Sequence, residues 1–260
     1  MKKEQIAVQL FCFREAIKTP SGLENTLKRL NSFGYSCVQL TTAIPQELSV
    51  DELKAILAET GMTAVSSHEK SDAFFNAPQE IIAKLKALGL THTAYPWPHI
   101  MPADHAGAVG FAKKLNDIAK MFKANGITLA YHNHAREFVK FNGKTLLDII
   151  FENAPEIDAE IDTFWVHKGG GSVTDMLLSA AGRTGYLHIK DYGTVYNEKT
   201  GTDAAVMMPI GSGNLNWEKI FAAAESAGVK YYIVEHDADV TDPFDSFKKS
   251  FDFLAENFAE

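Results

Sequence analysis

"ANGITLAYHNH", residues 124–134, reads as the end of a helix, a glycine stop, and a strand that finishes on polar groups. The residues before Gly126 carry apolar side chains at three- and four-residue spacing, and Gly126 suits the left-handed position just past a helix C-terminus. A β-favouring run follows at once and closes on His132, Asn133 and His134. The same punctuation recurs in "SFGYSCVQLTT" (32–42), "ETGMTAVSSH" (59–68), "ALGLTHTAYP" (87–96), "RTGYLHIKD" (183–191) and "SAGVKYYIVEH" (226–236). There Gly34, Gly61, Gly89, Gly185 and Gly228 hold the equivalent place, and each predicts a left-handed helix stop.

Two more strands fit without the glycine: "IAVQLFCF" (6–13), and "EIDAEIDTFWV" (156–166), whose preceding helix is closed by Pro155. Between the strands the spacing predicts helices near 22–33, 51–60, 77–88, 104–125, 144–153, 172–182, 215–227 and 243–258. Eight strands alternating with eight helices argue for parallel βαβ units. At 260 residues the chain is near the roughly 250 typical of one closed (β/α)₈ barrel, so a single TIM-barrel domain over 1–260 is expected.

Composition narrows the partners. A formal net charge of -8 disfavours nucleic acid, whose binders neutralise phosphates with Lys and Arg clusters. The start, "MKKEQIAVQLF", holds neither a signal-like apolar stretch nor a membrane span, so a cytoplasmic protein without a membrane partner is expected. Cys12 and Cys37, the only cysteines, each lie in an apolar run and read as buried thiols rather than a disulfide. A homo-oligomer is compatible with all of this.

Active sites of such barrels sit at the C-terminal ends of the strands. Of nine histidines, His68, His132, His134, His188 and His236 fall at such ends, where chance would place about one. Strand alternation then separates inward from outward positions. It sends Ala130 and His132 inward from the fifth strand, Glu160 and Asp162 from the sixth, and His188 and Lys190 from the seventh. On the eighth, Glu235 shares a face with Tyr231 and Ile233, with His236 opposite. Four consecutive strands thus deliver His132, Asp162, His188 and Glu235 towards one point. Two imidazoles and two carboxylates match the ligands of Mn²⁺, Mg²⁺, Co²⁺ or Zn²⁺, against the alternative of separate ion pairs at the barrel mouth.

The chain resembles the xylose-isomerase-like TIM-barrel family, also called sugar phosphate isomerases/epimerases. The resemblance is carried by "LAYHNHAREF" (129–138), "EIDTFWV" (160–166), "LHIKDYG" (187–193), "PIGSGNLNW" (209–217) and "YIVEHD" (232–237). It implies one divalent metal, most often manganese, held by a Glu, Asp, His, Glu set. Asp162, His188 and Glu235 match the last three members. The first falls on His132, a departure from the pattern. Glu137 is the substitute ligand if the fifth strand ends early.

The departure bears on chemistry. In the family's epimerases two glutamates exchange protons with a carbon next to a carbonyl from opposite faces, while the metal stabilises the enediolate. With His132 in place of one glutamate, Glu235 remains as a base. Glu137, His134, His68 and Lys190 are the candidates for a second proton-transfer or charge-stabilising group. Lys190 would hold an oxyanion or phosphate, or else pair with Asp191 or a nearby carboxylate. His68, Trp97, His134, Lys190 and Phe11 are the candidate substrate contacts. Phe13 and Trp165 are further aromatic candidates, and "PIGSG" (209–213) either folds over the pocket or forms a turn before a helix.

The expected function is a metal-dependent sugar or polyol isomerase/epimerase. The alternatives are a lyase or dehydratase of the same family, acting on a keto-sugar or inosose, and a non-catalytic sugar-binding barrel. Endonuclease activity is disfavoured, because Trp165 stands where those relatives carry histidine.

Overall fold

The computed structural model describes residues 1–237 and 242–260. Eight strands close into a barrel: β1 (Ile6–Gln9), β2 (Cys37–Leu40), β3 (Thr63–His68), β4 (His92–Tyr95), β5 (Thr128–His132), β6 (Asp158–Asp162), β7 (Tyr186–Ile189) and β8 (Tyr231–Val234). Each pairs in parallel with its sequence neighbours, and β1 joins β8 through Ile6, Ala7 and Val8 opposite Tyr232, Ile233 and Val234. The (β/α)₈ expectation is met.

The helices fall where the apolar spacing puts them: Pro20–Ser32, Val50–Glu59, Pro78–Leu88, His105–Ala124, Leu146–Asn153, Val173–Ser179, Trp217–Ala227 and Pro243–Asn257. All but Pro78–Leu88, which begins on its proline, start at a side-chain cap that satisfies otherwise unpaired N–H groups. Ser49 with Glu52, and Thr145 with Asp148, form reciprocal capping boxes, and Asp104 accepts from the Gly107 N–H. Gly126, with φ of 75°, turns the chain from the long helix His105–Ala124 into β5, a conformation that glycine adopts without strain. Gly185 is a correction: it is not among the positive-φ residues, and Gly182, at φ 83°, makes the turn instead.

The barrel has two apolar zones. Alternate strand residues such as Leu129, Tyr131, Ala159, Ile161, Leu187, Ile189, Tyr232 and Val234 face the helices in the main core. Inside the barrel, Ala7, Cys37, Val65 and Ile233 fill the base with Tyr186 and Tyr231. Above this plug the inward positions turn polar, which sets the depth of the candidate site. Both cysteines are free, Cys37 within the plug and Cys12 half-buried against the main core.

Three features depart from simple alternation. The sixth strand stops at Asp162, and Thr163–Lys168 is a short helix rather than its continuation. A hairpin of Asp191–Asn197 and Thr202–Met208 extends from the end of β7. A smaller one pairs Lys140–Phe141 with Lys144–Thr145. Among the described residues no helix is long and apolar enough to cross a membrane.

Candidate active site and metal centre

Asp162 shows how backbone structure aims a ligand. It caps the helix Thr163–Lys168, where its Oδ1 accepts from the Trp165 N–H at 2.9 Å. That fixes the carboxylate and leaves Oδ2, which no hydrogen bond occupies, turned into the barrel. Its own N–H donates to Asn133 Oδ1 at 3.0 Å, so Asn133 ties the end of β5 to the end of β6. Thr163 Oγ1 likewise donates to the Lys190 carbonyl and accepts from the Lys190 N–H, joining β6 to β7.

His132, Asp162, His188 and Glu235 meet as alternation predicts. Their ligand atoms lie within 4.8 Å of one another, and all four are buried. His188 Nδ1 stands 2.6 Å from Glu235 Oε2, and His132 Nε2 lies 3.9 Å from Asp162 Oδ2. Two nitrogens and two oxygens at this spacing suit a divalent metal, and Asp162 Oδ2, buried and without a hydrogen bond, is the kind of atom a metal satisfies, although the Lys190 ammonium also lies beside it. The residues present therefore fit the group.

Lys190 is fully buried beside them. Its Nζ contacts Asp162 Oδ2 at 3.0 Å, Glu235 Oε2 at 2.9 Å and both oxygens of Asp237 at 3.0 Å. It does not pair with Asp191. Burial alone would lower its pKa, yet Asp162, Asp237 and Glu235 hold it well above the usual lysine value. Burial raises the Asp162 carboxyl to about 6 against the pull of Lys190. Glu235 would also be raised by burial, but Lys190 and His188 depress it. Burial would lower the His188 imidazole, and Glu160 and Glu235 on its two sides carry it up to about 10. His132 is driven well below its usual value by burial and then by His188.

Of these groups His132 and Glu235 reach a cavity of about 390 Å³ at the C-terminal mouth of the barrel, while Asp162, His188 and Lys190 lie behind them and do not line it. His68, His132, His134, Glu235 and Asp237 face it, with Phe11 and Trp97 among its walls. Trp97 is 47% exposed, a large aromatic face available to a ligand.

The sequence pattern of the xylose isomerase-like TIM barrel matches residues 27–257. The chain belongs to that family. No curated protein matches it by sequence. Among solved structures, the family chain is similar to a sugar phosphate isomerase/epimerase from Parabacteroides distasonis, with TM-score 0.82, 19% identity, and coverage of 100% of this chain and 96% of that one. An L-ribulose 3-epimerase aligns with TM-score 0.74 and 18% identity over 98% and 94% of the two chains. A probable 3-DHS dehydratase from Bacillus anthracis gives 0.75 and 12% over 99% and 100%. At these identities the likeness concerns the fold.

Other sequence candidates of this family member fall elsewhere. The fifth strand runs to His132, so Glu137 does not replace it. Glu137 is fully buried in the 3-10 helix Ala135–Phe138, where it accepts from the Tyr131 hydroxyl at 3.0 Å and the His134 N–H at 2.8 Å. Phe13 packs on Phe244 and Phe247 in the core. His236 faces the helix layer, bonded to Ser246 and packed on Phe247. The "PIGSG" turn does not line the cavity. Asp191 anchors it, accepting from the N–H groups of Gly211, Gly213 and Leu215 and from the Trp217 indole.

Two groups carry more than the sequence pattern assigned them. Glu160, inward by parity but given no role, is the hub of the barrel interior. Its carboxylate meets His68, His188 and Gln39, with His132 and His92 within 4 Å. Asp237 lies three residues past the end of β8, where strand parity no longer applies, and completes the cage around Lys190.

Proposed function

We propose that the chain is a divalent-metal-dependent enzyme that removes a proton next to the carbonyl of a small sugar or polyol, working as an isomerase or epimerase. The observation that carries this reading is the convergence of His132, Asp162, His188 and Glu235, with His132 and Glu235 opening onto a sugar-sized cavity. Manganese is the expected ion, with Mg²⁺, Co²⁺ and Zn²⁺ as alternatives for the same donors. When bound, the metal polarises the substrate's carbonyl and hydroxyl oxygens.

The chain's own residues supply the rest. Glu235 presents its carboxylate to the cavity, and the described contacts with His188 and Lys190 both fall on Oε2. Oε1 is the atom offered to the substrate proton. The Lys190 ammonium, fixed by three carboxylates, places positive charge where oxygen becomes negative as that proton leaves. Trp97 and Phe11 stack on C–H faces of the substrate, and His68 and His134 donate or accept at its hydroxyls.

A lyase is the second reading, favoured by one observation. Position 132 is an imidazole directed at Asp162 and Glu160 rather than a carboxylate free to act opposite Glu235. Elimination needs one base and an assisted leaving group, not two bases facing each other. Incubation in D₂O with a panel of ketoses, keto-glycosides and inososes tests both. The isomerase reading predicts solvent deuterium in a product of otherwise unchanged composition. Loss of a neutral fragment establishes the lyase, and no exchange with any of them contradicts catalysis.

A further inference from the structure

The imidazoles of His132 and His188 each face two ways. His188 directs Nδ1 to Glu235 and Nε2 to Glu160 Oε1, the latter at 2.9 Å. His132 directs Nε2 to Asp162 and Nδ1 to the same Glu160 oxygen, at 3.7 Å. His68 Nε2 approaches that oxygen from a third side. The rings of His68 and His188 lie parallel with centroids 5.1 Å apart, and that of His132 is 5.0 Å from the first and 4.3 Å from the second.

His68 Nε2 is hydrogen-bonded to Glu160 Oε1, whereas the other two nitrogens are close to that oxygen without a hydrogen bond to it. His132 Nδ1 and His188 Nε2 are buried, and neither makes a hydrogen bond among the described residues. Ligands about 2.1 Å from a common divalent ion stand roughly 3 to 3.5 Å apart, so short spacing with poor hydrogen-bond direction suits donors arranged around an ion. The ligand atoms of His68, His132, Glu160 and His188 all lie within 4.8 Å of one another.

The two sets differ in charge. Asp162 and Glu235 already hold the Lys190 ammonium at 3.0 and 2.9 Å, so a cation entering the mouth competes with it. Among the described residues no lysine or arginine contacts Glu160. Its neighbours are Gln39 and imidazoles. An ion seated there displaces an imidazole proton rather than a lysine ammonium.

We propose that His68, His132, Glu160 and His188 form a second metal seat, directly beneath the one at the mouth. It takes a nitrogen-preferring divalent ion such as Zn²⁺ or Co²⁺. Three nitrogens and one carboxylate oxygen suit those ions, whereas the quartet at the mouth, richer in oxygen, suits Mn²⁺ or Mg²⁺. Because His132 and His188 serve both seats through opposite nitrogens, one ion occupies the pair at a time, and its chemistry selects the level. A shift between levels moves the ion relative to the cavity and so changes whether it reaches substrate.

The test uses the full chain stripped with chelator and reloaded with zinc. X-ray absorption at the zinc edge of the unmutated protein is expected to show three imidazoles. Competition with a chromophoric chelator is expected to show zinc affinity about tenfold or more weaker in His68→Ala, as for loss of a supporting metal contact, and unchanged in Asp162→Asn. Two imidazoles in the spectrum, zinc affinity unaffected by His68→Ala, or no zinc binding at all would each overturn the inner seat. Mn²⁺ affinity measured on the same variants bears on the mouth alone, since Asp162→Asn should weaken it and His68→Ala should not. The two sites therefore fail separately.

Discussion

Lys190 is the residue on which the charge balance of the barrel mouth turns. A fully buried ammonium held by Asp162, Glu235 and Asp237 is costly to remove, because three carboxylates then lose its positive charge. Lys190→Met is expected to destabilise the metal-free protein by about 3–5 kcal/mol in urea unfolding, and added Mn²⁺ should restore part of that loss. Equal stability of variant and parent without metal would show that the cage contributes nothing. At this scale strand parity alone read His132, Asp162, His188, Glu235 and Lys190 as inward. It did not reveal that Glu160, two residues before Asp162 on the same face, outranks it in contacts. Parity gives a side chain's direction but not its depth, and depth decides which neighbours it meets. Asp237 was beyond its reach altogether, because it follows the last paired residue of β8.

Loops and strand ends hold the site in place. Asp191 organises the segment after the β7 hairpin by accepting from four donors of residues 211–217, and a Cβ on Gly213 would come within 2.6 Å of its carboxylate carbon. Asp191→Ala leaves those donors without their acceptor and is expected to cost about 3 kcal/mol, with faster proteolysis around residues 209–215. Retained stability and unchanged cleavage would contradict the anchoring role. At the opposite end of β6, burial raises the Asp158 carboxyl to about 6, against Arg183, Lys123 and Lys230, which lower it. The folded pKa lies above the unfolded value near 3.8, so the fold favours the proton. The stability it contributes is present below the unfolded pKa and is lost as pH rises through about 6. Asp158→Asn should therefore raise the Tm at pH 8 and leave it unchanged at pH 4, whereas an equal effect at both would exclude that linkage. The apolar spacing of the helices and most of their glycine stops were legible in the sequence, and their side-chain caps were not read from it. The hairpin of Asp191–Asn197 and Thr202–Met208 was not, since it forms after a strand already assigned and packs little of its length.

For the whole molecule, the repeated helix, glycine and strand unit made the closed barrel readable, and the barrel rule then directed attention to its C-terminal mouth. Where individual signals misled, the physical reason is local. Gly185 stands three residues past the glycine that makes the turn, and the strand ending in Asp162 passes at once into a helix that Asp162 itself caps. The central claim is that four strands bring their end groups together to hold one divalent metal over which a sugar is enolised. Elemental analysis of protein purified without chelator tests this most directly, with His188→Ala as the partner sample because His188 belongs to both ligand sets. The unmutated chain should carry about one divalent ion and the folded variant close to none. Equal metal content in the two, or none in either, would contradict it.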